Sequence, residues 1–223
     1  MKREPLTTIL CYGDSNTYGY DPQDGLRYTS DVRWPGRLQR LLGEEFYVIE
    51  EGCNGRTASV RPEDEPWKDG RSCLKAILNS HKPVDVFVLM LGTNDLKKQF
   101  TATPESIAAG VRDILNTAAE FLEEKQGFRP RGLLIAPAEI AEGIVASPFA
   151  HSFDVEAAPC SQQLPALYQA VAAELTTAGI MRCGFLNAQE ILRPSQLDCL
   201  HLMPEAHAAL AKAVAAAIKK TRP

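Results

Sequence analysis

The run Val84-Asp85-Val86-Phe87-Val88-Leu89-Met90-Leu91 is apolar at every position but one. A strand of that kind has no face to turn to water. It belongs inside a parallel sheet covered by helices on both sides. Other short apolar runs fit the same plan: 8–12, closed by Gly13, then 46–49, 132–136 and 184–186. Between them the apolar spacing is helical. Trp34, Leu38, Leu41 and Leu42 mark a helix over 34–42, with Gly43 as its stop. Further helices are predicted over 72–80, 104–123, 160–178 and 204–220. Thr103 is the cap of the second of these, with Pro104 at its first position. The basic end of the last suits the helix dipole. The stretch 137–159, rich in Pro and Gly, reads as irregular. Strand and helix alternating in this way predict an α/β fold with a central parallel sheet. No repeat or linker divides the 223 residues, so a single domain over 1–223 is expected.

Charge and ends narrow the function. Lys+Arg is 24 against Asp+Glu 28, a net charge of −4, with a pI near 5.6. An acidic surface neutralises phosphates poorly, so no nucleic-acid partner is expected. No window approaches 18 uninterrupted apolar residues, which argues against a membrane span. The first residues show no export signal, so a cytoplasmic location is expected. Cys11, Cys53, Cys73, Cys160, Cys183 and Cys199 are scattered without a C-x-x-C pair. They read as free thiols rather than a metal or disulfide framework.

In open α/β sheets ligands bind beyond the carboxyl ends of the strands. Those ends carry Gly13-Asp14-Ser15-Asn16-Thr17, Gly52-Cys53-Asn54-Gly55-Arg56-Thr57 and Gly92-Thr93-Asn94-Asp95. Asp198-Cys199-Leu200-His201 follows the last strand. Acyl transfer needs such a set. The Ser15 hydroxyl becomes a nucleophile when a base takes its proton. His201 can be that base, and Asp198, three residues earlier, can hold its other ring nitrogen. The Ser15 N–H, the Gly55 N–H and the Asn94 amide are candidate oxyanion donors. Each motif alone is ordinary turn chemistry; their coincidence at four strand ends is not. Asp14 reads as a turn or helix-start residue and Asp95 as a loop orienter. His81, His151 and His207 are assigned no chemistry.

These motifs resemble the SGNH hydrolases, also called GDSL esterases and lipases. Gly13-Asp14-Ser15 matches the first block, Gly55 the second, Gly92-Thr93-Asn94-Asp95 the third, and Asp198 with His201 the last. The resemblance implies a flavodoxin-like three-layer α/β/α sandwich with no metal and no cofactor. It carries over Ser15 as nucleophile, His201 as base, Asp198 as its orienter, and Gly55 and Asn94 as oxyanion donors. Asp31-Val32-Arg33-Trp34, Val48-Ile49-Glu50-Glu51-Gly52 and Met90 to Asp95 resemble the bacterial arylesterase/acyltransferase branch. That likeness implies short-chain esters as substrates, acyl transfer to alcohols in some members, and a homo-oligomer. Tyr18 and Tyr20 stand where such relatives often carry Trp, and Met203 where a small polar cap is usual.

The expected activity is a serine esterase acting on acetyl-type esters of a sugar or aryl alcohol. Alternatives are a non-catalytic binding module on the same fold and a longer-chain lipase or thioesterase. The chain has neither G-x-x-x-x-G-K-[ST] nor G-x-G-x-x-G, which disfavours a nucleotide site. It lacks the G-x-S-x-G elbow of the α/β-hydrolases too. A cysteine hydrolase using Cys199 or Cys53 has no separate base. Tyr18, Tyr20, Trp34, Trp67 and Phe100, with Phe149 and Phe153 of the irregular stretch, are candidate walls of a small acyl pocket.

Overall fold

The computed structural model describes residues 6–220. Five parallel strands form its centre: β1 (Thr7–Gly13), β2 (Phe46–Gly52), β3 (Val86–Met90), β4 (Arg131–Ala136) and β5 (Cys183–Asn187). Their order is β2-β1-β3-β4-β5, the doubly wound order of the flavodoxin-like sheets. The helices are α1 (Ser15–Tyr18), α2 (Trp34–Leu42), α3 (Leu74–His81), α4 (Pro104–Gln126), α5 (Ala157–Thr177) and α6 (Pro204–Lys220).

Alternate residues of each strand serve opposite faces, as the pleat requires. Leu10 and Tyr12 of β1, Phe87 and Leu89 of β3 and Leu134 of β4 meet α3, α4 and α5. Ile9, Cys11, Val88 and Ile135 meet α2 and α6. All five residues of β3 are buried, and the apolar run 84–91 supplies the middle strand of the sheet.

Local signals set the element ends. Thr103 caps α4 in a reciprocal pair: the Ser106 N–H donates to Thr103 Oγ1 at 3.2 Å, and the Thr103 N–H to Ser106 Oγ at 3.0 Å. Gly127, left-handed at φ 84°, closes the same helix.

The structure corrects two expectations. Part of 137–159 is ordered as helix: a 3₁₀ turn spans Glu142–Ala146, and α5 begins at Ala157. Pro159 therefore sits in the first turn of α5, where its missing N–H leaves no helical bond unmade. Trp34 and Phe153, expected as pocket walls, are instead core residues with 0% and 1% exposure. Trp34 opens α2 and packs beneath the sheet. All six cysteines are free. Among the described residues no helix is long and apolar enough to cross a membrane.

Candidate active site

The end of β1 turns sharply into α1. Asp14 caps that helix, its Oδ1 accepting the Asn16 N–H at 3.0 Å. Ser15 is thereby held at the first helical position, at the carboxyl edge of the sheet. The loop before α6 supplies the other half. Cys199 takes a left-handed φ of 62°, which folds Asp198 back onto His201. Asp198 Oδ1 accepts the N–H groups of Leu200 and His201, each at 3.0 Å. Its Oδ2 lies 2.6 Å from His201 Nδ1. A carboxylate can only accept, so Nδ1 carries the proton and Nε2 is left to accept. Ser15 Oγ stands 2.9 Å from Nε2. The three residues form one continuous line, and all are buried.

Asn16 fastens the two halves. Its Nδ2 donates to the Leu200 carbonyl at 3.3 Å, and its Oδ1 accepts the Leu202 N–H at 3.1 Å. The sequence reading passed over this residue; its partners lie 184 and 186 positions away.

The other two proposed donors lie on the loops after β2 and β3. Gly55 is left-handed at φ 81°, a conformation glycine adopts without steric cost. The aliphatic arm of Lys68 lies over it. Asn94 Nδ2 donates to the Arg56 carbonyl at 3.2 Å, which uses one of its two N–H bonds. Among the described residues the Ser15 and Gly55 N–H groups bond to no carbonyl of the chain. Asp95 orients the loop, as its position suggested. It accepts from the N–H groups of Ala58, Ser59 and Val60 and from the Ser59 hydroxyl. This ties the end of β3 to the loop after β2.

Charge at the site is set by burial. Burial raises the Asp14 carboxyl to about 6, against the pull of the Asn16 N–H, His201 and Arg56. Burial raises Asp95 too, opposed by its N–H donors. Asp198 goes the other way. Burial would lift it, but the hydrogen bond and charge of His201 with two N–H donors outweigh that and hold it low. Asp198 therefore stays a carboxylate facing the imidazole.

Two of the expected aromatic walls reach the site. The Tyr20 ring lies 4.2 Å from the His201 ring, tilted by 33°, and Phe149 lies 5.3 Å away. Trp67 stands exposed on its own turn. His81 pairs with Glu51, and His207 is buried, accepting the Trp34 N–H on Nδ1. Neither joins the cluster. Among the described residues no three His, Cys, Asp or Glu side chains are placed to hold a metal ion.

A hydroxyl on a base held by a carboxylate is equipped for acyl transfer. Comparison with known proteins points the same way. Est24, a carbohydrate acetylesterase from Sinorhizobium meliloti, shares 30% identity at a TM-score of 0.88, covering 97% of this chain and 100% of that one. The aryl esterase of M. smegmatis shares 29% identity at a TM-score of 0.87 over the same shares. No curated protein matches the sequence. Residues 11–209 match the GDSL-like lipase/acylhydrolase family, and with nine-tenths of its length inside that match the chain belongs to this family of serine ester hydrolases.

Proposed function

We propose that the protein hydrolyses short-chain, acetyl-type carboxylic esters through an acyl-enzyme on Ser15. The observation that carries this is the Ser15–His201–Asp198 line, 2.9 and 2.6 Å between successive partners, with the Ser15 and Gly55 N–H groups bonded to no carbonyl among the described residues. Ser15 Oγ attacks the ester carbonyl as His201 Nε2 takes its proton. The oxygen that becomes negative is received by the Ser15 and Gly55 N–H groups and the second N–H of Asn94. Collapse expels the alcohol, which takes the proton from His201. Water, or a second alcohol in acyl transfer, then repeats the sequence in reverse on the acyl-enzyme. Asp198 remains ionised and stabilises the imidazolium throughout.

Tyr20 and Phe149 crowd the imidazole, which favours acetyl over long acyl groups. Sugar acetates and aryl acetates are the esters to try, since two structural neighbours are a carbohydrate acetylesterase and an aryl esterase. A homo-oligomer is the proposed assembly, on the sequence likeness to the arylesterase/acyltransferase branch.

The test is hydrolysis of 4-nitrophenyl esters of rising acyl length, wild type beside Ser15→Ala. Acetate should be cleaved fastest, and the variant should lose at least about 10³-fold in kcat. Faster cleavage of long acyl chains would move the reading to a lipase or thioesterase. An inert wild type would leave a binding module.

A further inference from the structure

One charged group beside the proposed oxyanion donors takes no part in the steps above. Arg56 follows Gly55 directly and is 5% exposed. A buried guanidinium is costly to desolvate, and a carboxylate partner usually offsets that cost. Among the described residues no carboxylate pairs with it. Backbone and ring hold it instead. Nη1 donates to the Gly13 carbonyl at 2.9 Å and to the Glu51 carbonyl. The guanidinium carbon lies 4.0 Å from the centroid of the Tyr12 ring. Tyr12 is fixed in turn by its hydroxyl, which donates to the Gly70 carbonyl at 2.7 Å.

The same residue is linked to each segment that carries a proposed oxyanion donor. Its side chain grips the carbonyl of Gly13, two residues before Ser15. Its backbone carbonyl accepts from Asn94 Nδ2, and its amide is the next one after Gly55. The Cys53 N–H also donates to Gly13 O, at 3.1 Å, so the loop after β2 is laced to the end of β1 at one oxygen. Nε of Arg56 is buried with no partner among the described residues, so the cation is only partly satisfied by its surroundings. Its charge is felt at the Ser15 turn, where it draws the Asp14 carboxyl downward.

We propose that Arg56 is the positioning residue of the oxyanion hole, fixing the Gly55 and Asn94 donors against Ser15 and keeping an unpaired positive charge behind the oxygen that becomes negative. It acts through those donors and does not touch substrate. This rests on Ser15 being the nucleophile proposed above. An ester gains from such a charge only as its carbonyl becomes an alkoxide, so the effect belongs to the transition state.

Arg56→Met keeps length and removes the charge. Arg56→Lys keeps the charge and loses the planar fork. Both are compared with wild type on 4-nitrophenyl acetate, with phenylboronic acid as inhibitor and a thermal melt alongside. The boronic acid takes an electron pair from Ser15 Oγ to form a B–O bond, the serine proton passing to His201, and so becomes a tetrahedral anion in the same place. For R56M, kcat should fall about 10²-fold with KM within about threefold, and boronate affinity should fall with kcat/KM. R56K should recover part of both. A folded R56M with kcat and boronate affinity within threefold of wild type, whatever its melting point, would overturn the assignment. If R56M does not fold, R56K decides by the same two readings: a fall supports the assignment and no change overturns it. An inert wild type overturns the esterase reading and this with it, whereas an active wild type with indifferent variants overturns this alone.

Discussion

Asp14 holds a carboxylate where water cannot reach. One oxygen caps α1 and the other, Oδ2, is buried without a partner among the described residues. Burial therefore lifts its proton affinity, to a pKa of about 6 against an ordinary 3.8. An acid raised in the folded state binds its proton more tightly there than in the unfolded chain. Between those two values folding takes up a proton, and stability falls as pH rises. The loss is complete above pH 6 and amounts to about 3 kcal/mol for a shift of roughly two units. Asp14→Asn retains an oxygen for the Asn16 N–H and removes the charge. Its unfolding free energy relative to wild type should climb between pH 4 and 6 and level off above, read from urea titrations at each pH. A difference independent of pH would contradict this. Asp198 behaves oppositely: held low, it contributes stability above pH 4 that is lost only as pH falls through its depressed value.

The end of β3 and the middle of α5 meet at one point. Gly92 has φ 121°, and a Cβ there would come within 2.3 Å of the Tyr168 hydroxyl oxygen. That hydroxyl donates to the Leu91 carbonyl at 2.8 Å. Gly92→Ala should therefore cost about 2–4 kcal/mol through backbone strain and a displaced hydrogen bond. It should also lower kcat, because Asn94 is two residues on. An unchanged denaturation midpoint would show that α5 gives way. Much at this scale was legible in the sequence. The buried run at 84–91 announced a covered strand, and Thr103-Pro104 marked the start of α4, whose end runs to Gln126, past the 123 expected. Ser15, Gly55, Asn94, Asp198 and His201 each sit in a short motif after a strand, so their neighbourhood followed from the alternation of elements. What escaped has a common cause. Arg56 is held by carbonyls, which leave no mark in the residue types. Asn16 binds a loop nearly the whole chain away. Trp34 and Phe153 have the composition of a pocket wall, and only tertiary packing sends them to the core. The start of α5 was hidden because proline signals a break in the helix interior and is harmless in the first turn.

Across the whole molecule, the two cores use opposite faces of the same five strands. Neither layer of helices can leave without baring the sheet that supports the other. Leu115→Ala, under α4, and Leu38→Ala, under α2, each empty a fully buried site. Each should cost about 2–5 kcal/mol. In both, helix content and esterase activity should disappear in one shared transition on urea titration. Separate transitions would mean that the layers unfold independently, and would count against a single domain. The hydrogen bond from Ser15 to His201 spans 186 positions, and so does the one from Leu202 to Asn16. During synthesis, then, the nucleophile is made 186 residues before its base. A growing chain carries a serine with no proton acceptor until the loop before α6 has docked, so a nascent copy is silent toward esters and turnover waits on that one step.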